Sequence, residues 1–233
     1  MCSLNYQKGF EISPCFCSRR MYSVPREHIS SRDWYVCCFE HMKFVEPIRD
    51  RKKITQIKNL LRGQNRYRDT LLFVVGTNTA LRISDLLELQ VSQFISEDGK
   101  IRNRFWIKEQ KRGKRHEITI NQSMKETLVE YLEAYPFILR DTRSYLFFNP
   151  QTNQHIKRGQ AWKFITAIFE EVGLRGNYGT HSLRKTRGYH ARMQGVDLAL
   201  IMYKLNHNSI AYTKRYLGIT DDGLQAIAQR LNL

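Results

Sequence analysis

One strand-like pair lies between segments of helical periodicity, and this order most constrains the fold. Strand-like alternation marks Arg104–Glu109 and Glu117–Ile120, with Gly113 in the turn between them, a pattern typical of a β-hairpin. Tyr145–Phe148 has the composition of a short third strand. With helical patterns on both sides, the sequence predicts a mainly α fold with a small antiparallel β-sheet, in the α+β class.

Apolar residues at helical spacing predict helices before and after the hairpin. The first helix ends at Gly63, and Asp69 is predicted to cap the second, which contains Leu71–Val75. Beyond the hairpin, helices are predicted at Met124–Tyr135, at Ile165–Val172, after an N-cap at Thr180, and along an apolar stripe formed by Leu224, Ile227, Ala228 and Leu231.

Four residues near the C-terminus have side chains suited to phosphoryl transfer. His181, Arg184, His207 and Tyr216 occur in that order, with Tyr216 nine residues after His207. Arginine presents paired donors to phosphate oxygens, histidine exchanges protons near neutral pH, and a tyrosine hydroxyl can act as a nucleophile. A structural role is the simpler interpretation of any one residue alone. The ordered set instead indicates an enzyme that breaks and rejoins nucleic acid through a phosphotyrosine link.

A segment further upstream supplies an arginine followed by a carboxylate. Arg82 begins an apolar helical stretch, and Asp85 follows three residues later. Lys111 lies in the basic turn of the predicted hairpin. With these residues in this order, the chain closely resembles the tyrosine recombinase, or phage integrase, family from about Val45 to Leu233. The resemblance implies the catalytic-domain fold of that family.

The resemblance also implies how the scissile phosphate would be held. Arg82 and Arg184 would clamp the phosphate and stabilise the charge of its transition state. Asp85 would orient Arg82 and would not act on the substrate itself.

The remaining matching residues would move protons or attack the phosphorus. Tyr216 would attack to give a 3′-phosphotyrosine, and Lys111 would protonate the departing 5′ oxygen. His181 and His207 would donate further hydrogen bonds to the phosphate or position its neighbours. No cofactor and no metal is implied.

Four positions depart from the usual family pattern. Ala80 and Asn206 stand where glycine is common, Asp85 where glutamate is frequent, and Lys185 where many members have histidine. Asparagine tolerates a left-handed backbone better than other residues after glycine, so the exchange at position 206 is mild. None of the four changes removes a catalytic group.

The charge of the chain favours nucleic acid as its partner. Its 38 Lys and Arg residues against 22 Asp and Glu give a formal net charge of +16, which suits a phosphate backbone. A ribosomal or RNA-binding protein would have a similar charge. On the recombinase interpretation the partner is double-stranded DNA, bound by a homo-oligomer that assembles on it, and Lys114, Arg115 and Lys185 are predicted to contact the DNA.

Two assignments have close competitors. Tyr212 and Tyr216 are four residues apart and share a helical face, but the spacing from His207 matches the family at Tyr216. Lys111 and Lys114 both flank the turn, and Lys111 stands at the family position.

The first 41 residues differ from the rest of the chain. They contain all five cysteines, little periodicity and almost none of the excess positive charge, and the cysteine spacing does not suit a zinc site. We therefore predict an irregular extension at 1–41 and a catalytic domain at 42–233. The helical core-binding domain that usually precedes the catalytic domain in this family is predicted to be missing.

A site-specific DNA recombinase, or integrase, is the leading functional prediction. A type IB topoisomerase would share the chemistry, and a DNA-binding accessory protein would keep the charge while losing a catalytic residue. The longest apolar run is too short to span a bilayer and no secretory signal begins the chain. A cytoplasmic location without membrane association is therefore expected.

Overall fold

The computed structural model describes residues 45–110, 113, 115–152 and 154–218. In these ranges the chain is mainly helical with a two-stranded antiparallel sheet, which confirms the predicted fold class. The regular elements, in chain order, are α1 (Arg51–Gly63), α2 (Tyr67–Thr79), α3 (Ile83–Leu87), β1 (Arg104–Lys108), β2 (Arg115–Thr119), α4 (Gln122–Ala134), α5 (Arg158–Glu171), α6 (Thr180–Met193), α7 (Leu198–Lys204) and α8 (Ile210–Leu217). Short 3-10 turns occupy Val91–Gln93 and Pro136–Arg140.

Helix α1 forms where the sequence predicts it. Asp50 caps its first turn by accepting a hydrogen bond from the backbone N–H of Lys52 at 2.7 Å, and the helix ends at Gly63. Its buried side chains, Ile57 and Leu61, are one turn apart, so a single face packs on the core.

Helix α2 is the central helix of the described fold. Its residues from Asp69 to Thr77 are all buried, and it packs against α1, α4 and α6. The prediction that Asp69 caps this helix is wrong, because the N-cap residue is Arg66. Asp69 lies inside the first turn and forms ion pairs with Arg66 at 2.9 Å and Arg68 at 3.1 Å. These two cations and the positive end of the helix dipole stabilise the carboxylate there.

Ala80 ends α2 in a left-handed conformation, with φ of 58°. This backbone usually requires glycine. The methyl group of Ala80 is buried and belongs to a small apolar cluster with Ile201, Leu205 and Leu217. Two residues later Arg82 is the N-cap of α3, so this tight reversal decides where that arginine lies.

The hairpin forms with the predicted turn, although its strand ends differ. Phe105 pairs with Ile118 and both are buried, whereas the neighbouring Trp106 is exposed. This alternation places one face of the hairpin on the core. Gly113 has φ of 64°, the conformation for which glycine is suited.

The predicted third strand at Tyr145–Phe148 is wrong. Tyr145 and Phe148 form only isolated bridges, to Gln90 and His155. Leu146 and Phe147 between them are both fully buried. Consecutive side chains of a strand point to opposite faces, so a strand at the edge of the core would not bury both, and the chain turns here instead.

Helix α6 begins at Thr180 rather than after it. The sequence predicts Thr180 as the N-cap, but Gly179 holds that position, so this prediction is wrong by one residue. The hydroxyl of Ser182 accepts a hydrogen bond from the N–H of Gly179 at 3.1 Å. His181 therefore lies in the first turn of α6 and Arg184 one turn beyond it. The predicted stripe Leu224–Leu231 lies outside the described residues.

Gly188 allows the C-terminal helices to approach α6 closely. A Cβ atom at this position would lie 2.6 Å from Cδ2 of Leu217 and 3.3 Å from Cδ1 of Leu205. Leu217 is itself buried and cannot swing into solvent. The missing side chain therefore sets the distance between α6 and α8.

We predict that Gly188→Ala lowers the free energy of unfolding by about 1–3 kcal/mol, the usual cost of overpacking a core. Urea unfolding followed by circular dichroism measures this change. Gly159→Ala is the matched control, because a Cβ atom added to this helical glycine would meet no atom within 4 Å, and alanine there should stabilise by up to about 1 kcal/mol. Equal stability of the two variants would contradict the packing argument.

Candidate active site

Five of the six predicted catalytic residues line one open cleft of about 470 Å³. Different parts of the chain supply them: the segment before α3, the start of α6, the loop after α7, and α8. The sixth, Lys111, lies outside the described residues. The cleft is lined by Arg82, His181, Arg184, Asn206, His207, Asn208, Ser209, Tyr212 and Tyr216.

Arg184 is the most deeply enclosed cation of this cleft, with 4% of its surface exposed. Its Nη1 donates to the carbonyl oxygen of Ala80, and its Nη2 donates to the carbonyl oxygen of Leu205. Both carbonyls follow helices, at the ends of α2 and α7. Two of the five guanidinium N–H donors are used in this way, and the guanidinium is fixed at the wall of the cleft.

Arg82 pairs with a carboxylate that the sequence motif did not identify. Its Nη1 lies 2.6 Å from Oε2 of Glu109 and 4.0 Å from Oδ2 of Asp85. Asp85, which the family pattern assigns to Arg82, directs Oδ2 toward it, while its Oδ1 accepts a hydrogen bond from the backbone N–H of Gln110 at 3.1 Å. Burial raises the pKa of Asp85. The closest anionic partner of Arg82 is therefore Glu109, and Asp85 tethers the end of the hairpin.

Glu109 stays acidic although it is buried. Burial alone would raise its pKa, but contacts from Arg82 and Asn206 and the nearby charge of His116 outweigh that effect and lower the pKa. The ring nitrogen Nε2 of His116 lies 3.6 Å from Oε1 of Glu109. No feature of the sequence singles out Glu109, because a charged residue directly after a strand is ordinary.

The loop after α7 orients His207. Asn206 has φ of 50°, as expected for the residue that replaces glycine there. The ring nitrogen Nδ1 of His207 lies 3.1 Å from the hydroxyl oxygen of Thr213, and that hydroxyl donates to the carbonyl oxygen of Ser209 at 3.0 Å. Since the hydroxyl hydrogen is used, Nδ1 is the donor to Thr213. Nε2 is then the ring nitrogen of His207 that remains for a group bound in the cleft.

Tyr216 lies on the inner side of the cleft. Its hydroxyl oxygen is buried and makes no hydrogen bond of good geometry with the described residues. Burial raises its pKa to about 12, although the charge of Arg184 acts in the opposite direction. The ammonium of Lys185 lies 4.7 Å from the ring centroid and the ring of His207 also lies 4.7 Å away. The hydroxyl is therefore protonated at neutral pH, while the nearby positive charges of Arg184 and Arg82 favour its anion.

Tyr212 occupies the solvent side of the same helical face. More than half of it (54%) is exposed, and its ring stacks on Tyr216 at 6.1 Å between centroids with 29° between planes. It also makes an edge contact with His207. Of the two tyrosines, Tyr216 is the one close to Arg184 and Lys185.

His181 lies among positive charges at the mouth of the cleft. Partial burial, together with the charges of Arg184, Arg158, Lys185 and Arg82, lowers its pKa. Its side chain still reaches solvent. His181 is therefore neutral at pH 7 in the unbound protein and has one donor and one acceptor nitrogen.

The predicted DNA-contact residues fall into different environments. Arg115 is exposed at the start of β2, and Lys114 lies outside the described residues. Lys185 has only 6% of its surface exposed, and burial lowers its pKa. Its ammonium lies over the ring of Tyr216, a cation–π arrangement, and its predicted contact with DNA stays a prediction.

The described residues hold neither a metal-binding cluster nor a membrane-spanning helix. In residues 45–218, leaving aside the undescribed positions, no group of three or more His, Cys, Asp or Glu side chains could hold a metal ion. Over the same ranges no helix has the length and apolar character needed to cross a membrane.

Comparison with known proteins identifies relatives of the chain. The model of the phage integrase family matches residues 50–222. The probable integrase/recombinase YoeC of Bacillus subtilis (strain 168) is 38% identical over 185 residues, which is 79% of this chain and 96% of that protein. Tyrosine recombinase XerA of Pyrococcus horikoshii is 26% identical over 181 residues, and the match covers 76% of this chain but only 60% of XerA.

Solved structures with the same fold agree with this assignment. A crystal structure of the XerH site-specific recombinase bound to its palindromic difH substrate matches with a TM-score of 0.64 at 22% identity, covering 81% of this chain and 53% of that one. A crystal structure of a λ integrase dimer bound to a core site matches with a TM-score of 0.58 at 17% identity, covering 82% of this chain and 66% of that one. These likenesses concern the fold, whereas the family match extends over most of the chain, which therefore belongs to the phage integrase family of tyrosine recombinases.

Proposed function

We propose that this chain is a site-specific DNA recombinase that cleaves and rejoins DNA through a 3′-phosphotyrosine at Tyr216. The observation that supports the proposal is the meeting of two arginines, two histidines and a buried tyrosine in one cleft. The relatives reported above are named as recombinases and integrases, and nothing in the described residues favours a topoisomerase or an accessory protein.

The scissile phosphate would bind between Arg82 and Arg184. Arg184 is held by two carbonyl oxygens and Arg82 is ion-paired with Glu109, so little reorganisation is needed when charge develops on the phosphate oxygens. A preorganised donor of this kind contributes about 2.7–4 kcal/mol to transition-state stabilisation. In its imidazolium form, in which both ring nitrogens carry a hydrogen, His207 would add a donor through Nε2.

Tyr216 would attack phosphorus as the P–O5′ bond breaks. Its proton must leave, because burial keeps the hydroxyl protonated. Neutral His181 has an acceptor nitrogen for that proton and a donor nitrogen for the phosphate. Lys111 would give its ammonium proton to the departing 5′ oxygen. The new Tyr216–phosphate ester keeps the energy of the broken ester, and attack by a 5′ hydroxyl would reseal the strand.

The proposed substrate is double-stranded DNA. The net charge of +16 suits it, and the XerH and λ integrase structures described above contain DNA sites. By the same likeness we propose a homo-oligomer that assembles on DNA, as in the λ integrase dimer. Cytoplasmic location and the division into 1–41 and 42–233 stay predictions.

Tyr216→Phe should abolish the covalent protein–DNA adduct while leaving DNA affinity within about twofold, because only a hydroxyl is removed. A suicide substrate with a nick near the scissile phosphate traps the adduct, which a denaturing gel resolves. Tyr212→Phe is the matched control and should still form adduct. Adduct in Tyr216→Phe, with loss in Tyr212→Phe, would reverse the assignment.

Lys111→Ala should slow cleavage of an ordinary 5′-oxygen substrate by about 10²–10⁴-fold, the usual contribution of a general acid. A substrate with a 5′-bridging sulfur has a good leaving group and should be slowed far less. Lys114→Ala serves as the control. Equal slowing of both substrates would show that Lys111 is not the acid.

Arg158→Gln should raise the pKa of His181, because the positive charge of Arg158 helps to lower it. Cleavage should decline as pH falls through the pKa of His181, when the acceptor nitrogen becomes protonated, and in the variant this decline should begin at higher pH. NMR titration of the His181 ring measures the pKa directly. Lys163→Gln, an exposed change on the same helix, should leave it unaltered. An unshifted titration in Arg158→Gln would contradict the electrostatic argument.

A further inference from the structure

Glu109 connects three segments of the candidate site. It has 2% of its surface exposed and is the last buried residue before the turn of the hairpin. Its Oε2 lies 2.6 Å from Nη1 of Arg82 and accepts a hydrogen bond from Nδ2 of Asn206 at 2.8 Å. Its Oε1 faces His116 on the opposite strand. One carboxylate thus joins the hairpin, the segment before α3 and the loop that contains His207.

The contact from Asn206 depends on a side chain that glycine lacks. Asn206 stands where the family commonly has glycine, and its φ of 50° is a conformation that both residues adopt. Glycine would therefore preserve the turn but lose the hydrogen bond to Glu109. The replacement in this chain adds a connection between the His207 loop and the partner of Arg82.

The charges around the cleft require such an anion. Arg82 and Arg184 line the cleft and Lys185 lies over the ring of Tyr216, and the mutual repulsion of these cations would push Arg82 outward when no phosphate is bound. Asp85 is a poor substitute, because its nearer oxygen, Oδ2, is 4.0 Å from Arg82, whereas Glu109 Oε2 is 2.6 Å away. Glu109 is in direct contact and is oriented by Asn206.

We propose that Glu109 is a positioning residue that, together with Asn206, holds Arg82 and the His207 loop at a fixed separation for binding the phosphate. The inference rests on the proposed function and deepens it. Glu109 does not touch DNA; it acts through Arg82 and through the residue before His207. This role is separate from the one that the family pattern gives to Asp85.

A change in the charge of the substrate distinguishes positioning from general stability. Replacing one non-bridging oxygen of the scissile phosphate by a methyl group gives a neutral methylphosphonate, which needs much less positive charge for its transition state. Strand cleavage of the phosphate and methylphosphonate substrates is measured for the wild type, Glu109→Gln and Asn206→Gly. Glu130→Gln is the matched control, because Glu130 also pairs with an arginine, Arg62, at 2.8 Å but lies away from the cleft.

We expect Glu109→Gln to slow cleavage of the phosphate substrate by roughly ten- to a hundredfold, a part of the effect of losing an oriented donor. The methylphosphonate substrate should be slowed less than about threefold, and the control should behave as wild type. Asn206→Gly should slow cleavage of the phosphate substrate about tenfold, the contribution of a hydrogen bond to a charged group. It should likewise slow the methylphosphonate substrate much less. Asn206→Asp should be slower still, because it faces Glu109 with a like charge. Equal slowing of both substrates, or wild-type rates in Asn206→Gly, would overturn the proposal.

A second measurement does not depend on catalysis. The urea unfolding constants of wild type, Glu109→Gln, Asn206→Gly and the double variant form a double-mutant cycle. We expect coupling of about tenfold in the unfolding constant, and additivity would overturn the Glu109–Asn206 connection. If the wild type cleaves neither substrate, the proposed function fails, and this cycle still decides whether the connection exists.

Discussion

The buried guanidinium of Arg184 is the interaction on which the candidate site depends. Its donors reach the carbonyl of Ala80 at the end of α2 and that of Leu205 at the end of α7, so it connects segments more than a hundred residues apart in sequence. Burying an unpaired guanidinium is costly, and the two carbonyls offset that cost. The same contacts fix the group in the wall of the cleft, where it remains close to Tyr216.

Stability and function compete inside this cleft. Several cations converge on a space that a phosphate would fill, and Glu109 and Asp85 supply the compensating negative charge beneath it. Tyr216 is kept protonated by burial, yet Arg184 and Lys185 lie beside it. These two carboxylates explain how a strongly basic site can be stable before substrate binds. A phosphodiester entering the cleft would supply further negative charge, and the site would still favour a transition state with added charge.

Local sequence patterns predicted the elements better than their ends. Periodicity placed α1 and the hairpin, because side-chain spacing on a surface is a local property. The N-cap at Thr180 was wrong by one residue, since the neighbouring Ser182 supplies the hydroxyl that bonds Gly179. The prediction of a third strand at Tyr145–Phe148 was wrong for a different reason. Whether an apolar run becomes a strand depends on a partner strand, and here the neighbouring segments form only single bridges.

The sequence by itself determined the chemistry available to this protein: the ordered Arg82, His181, Arg184, His207 and Tyr216, and the family they indicate. It did so because reactive side-chain types and their spacing are written in the chain. Only the tertiary structure decided which anion pairs with Arg82, that Lys185 lies over the ring of Tyr216, and that Asn206 bonds Glu109. These facts depend on distances between segments remote in sequence, which tertiary packing establishes and which no local pattern encodes.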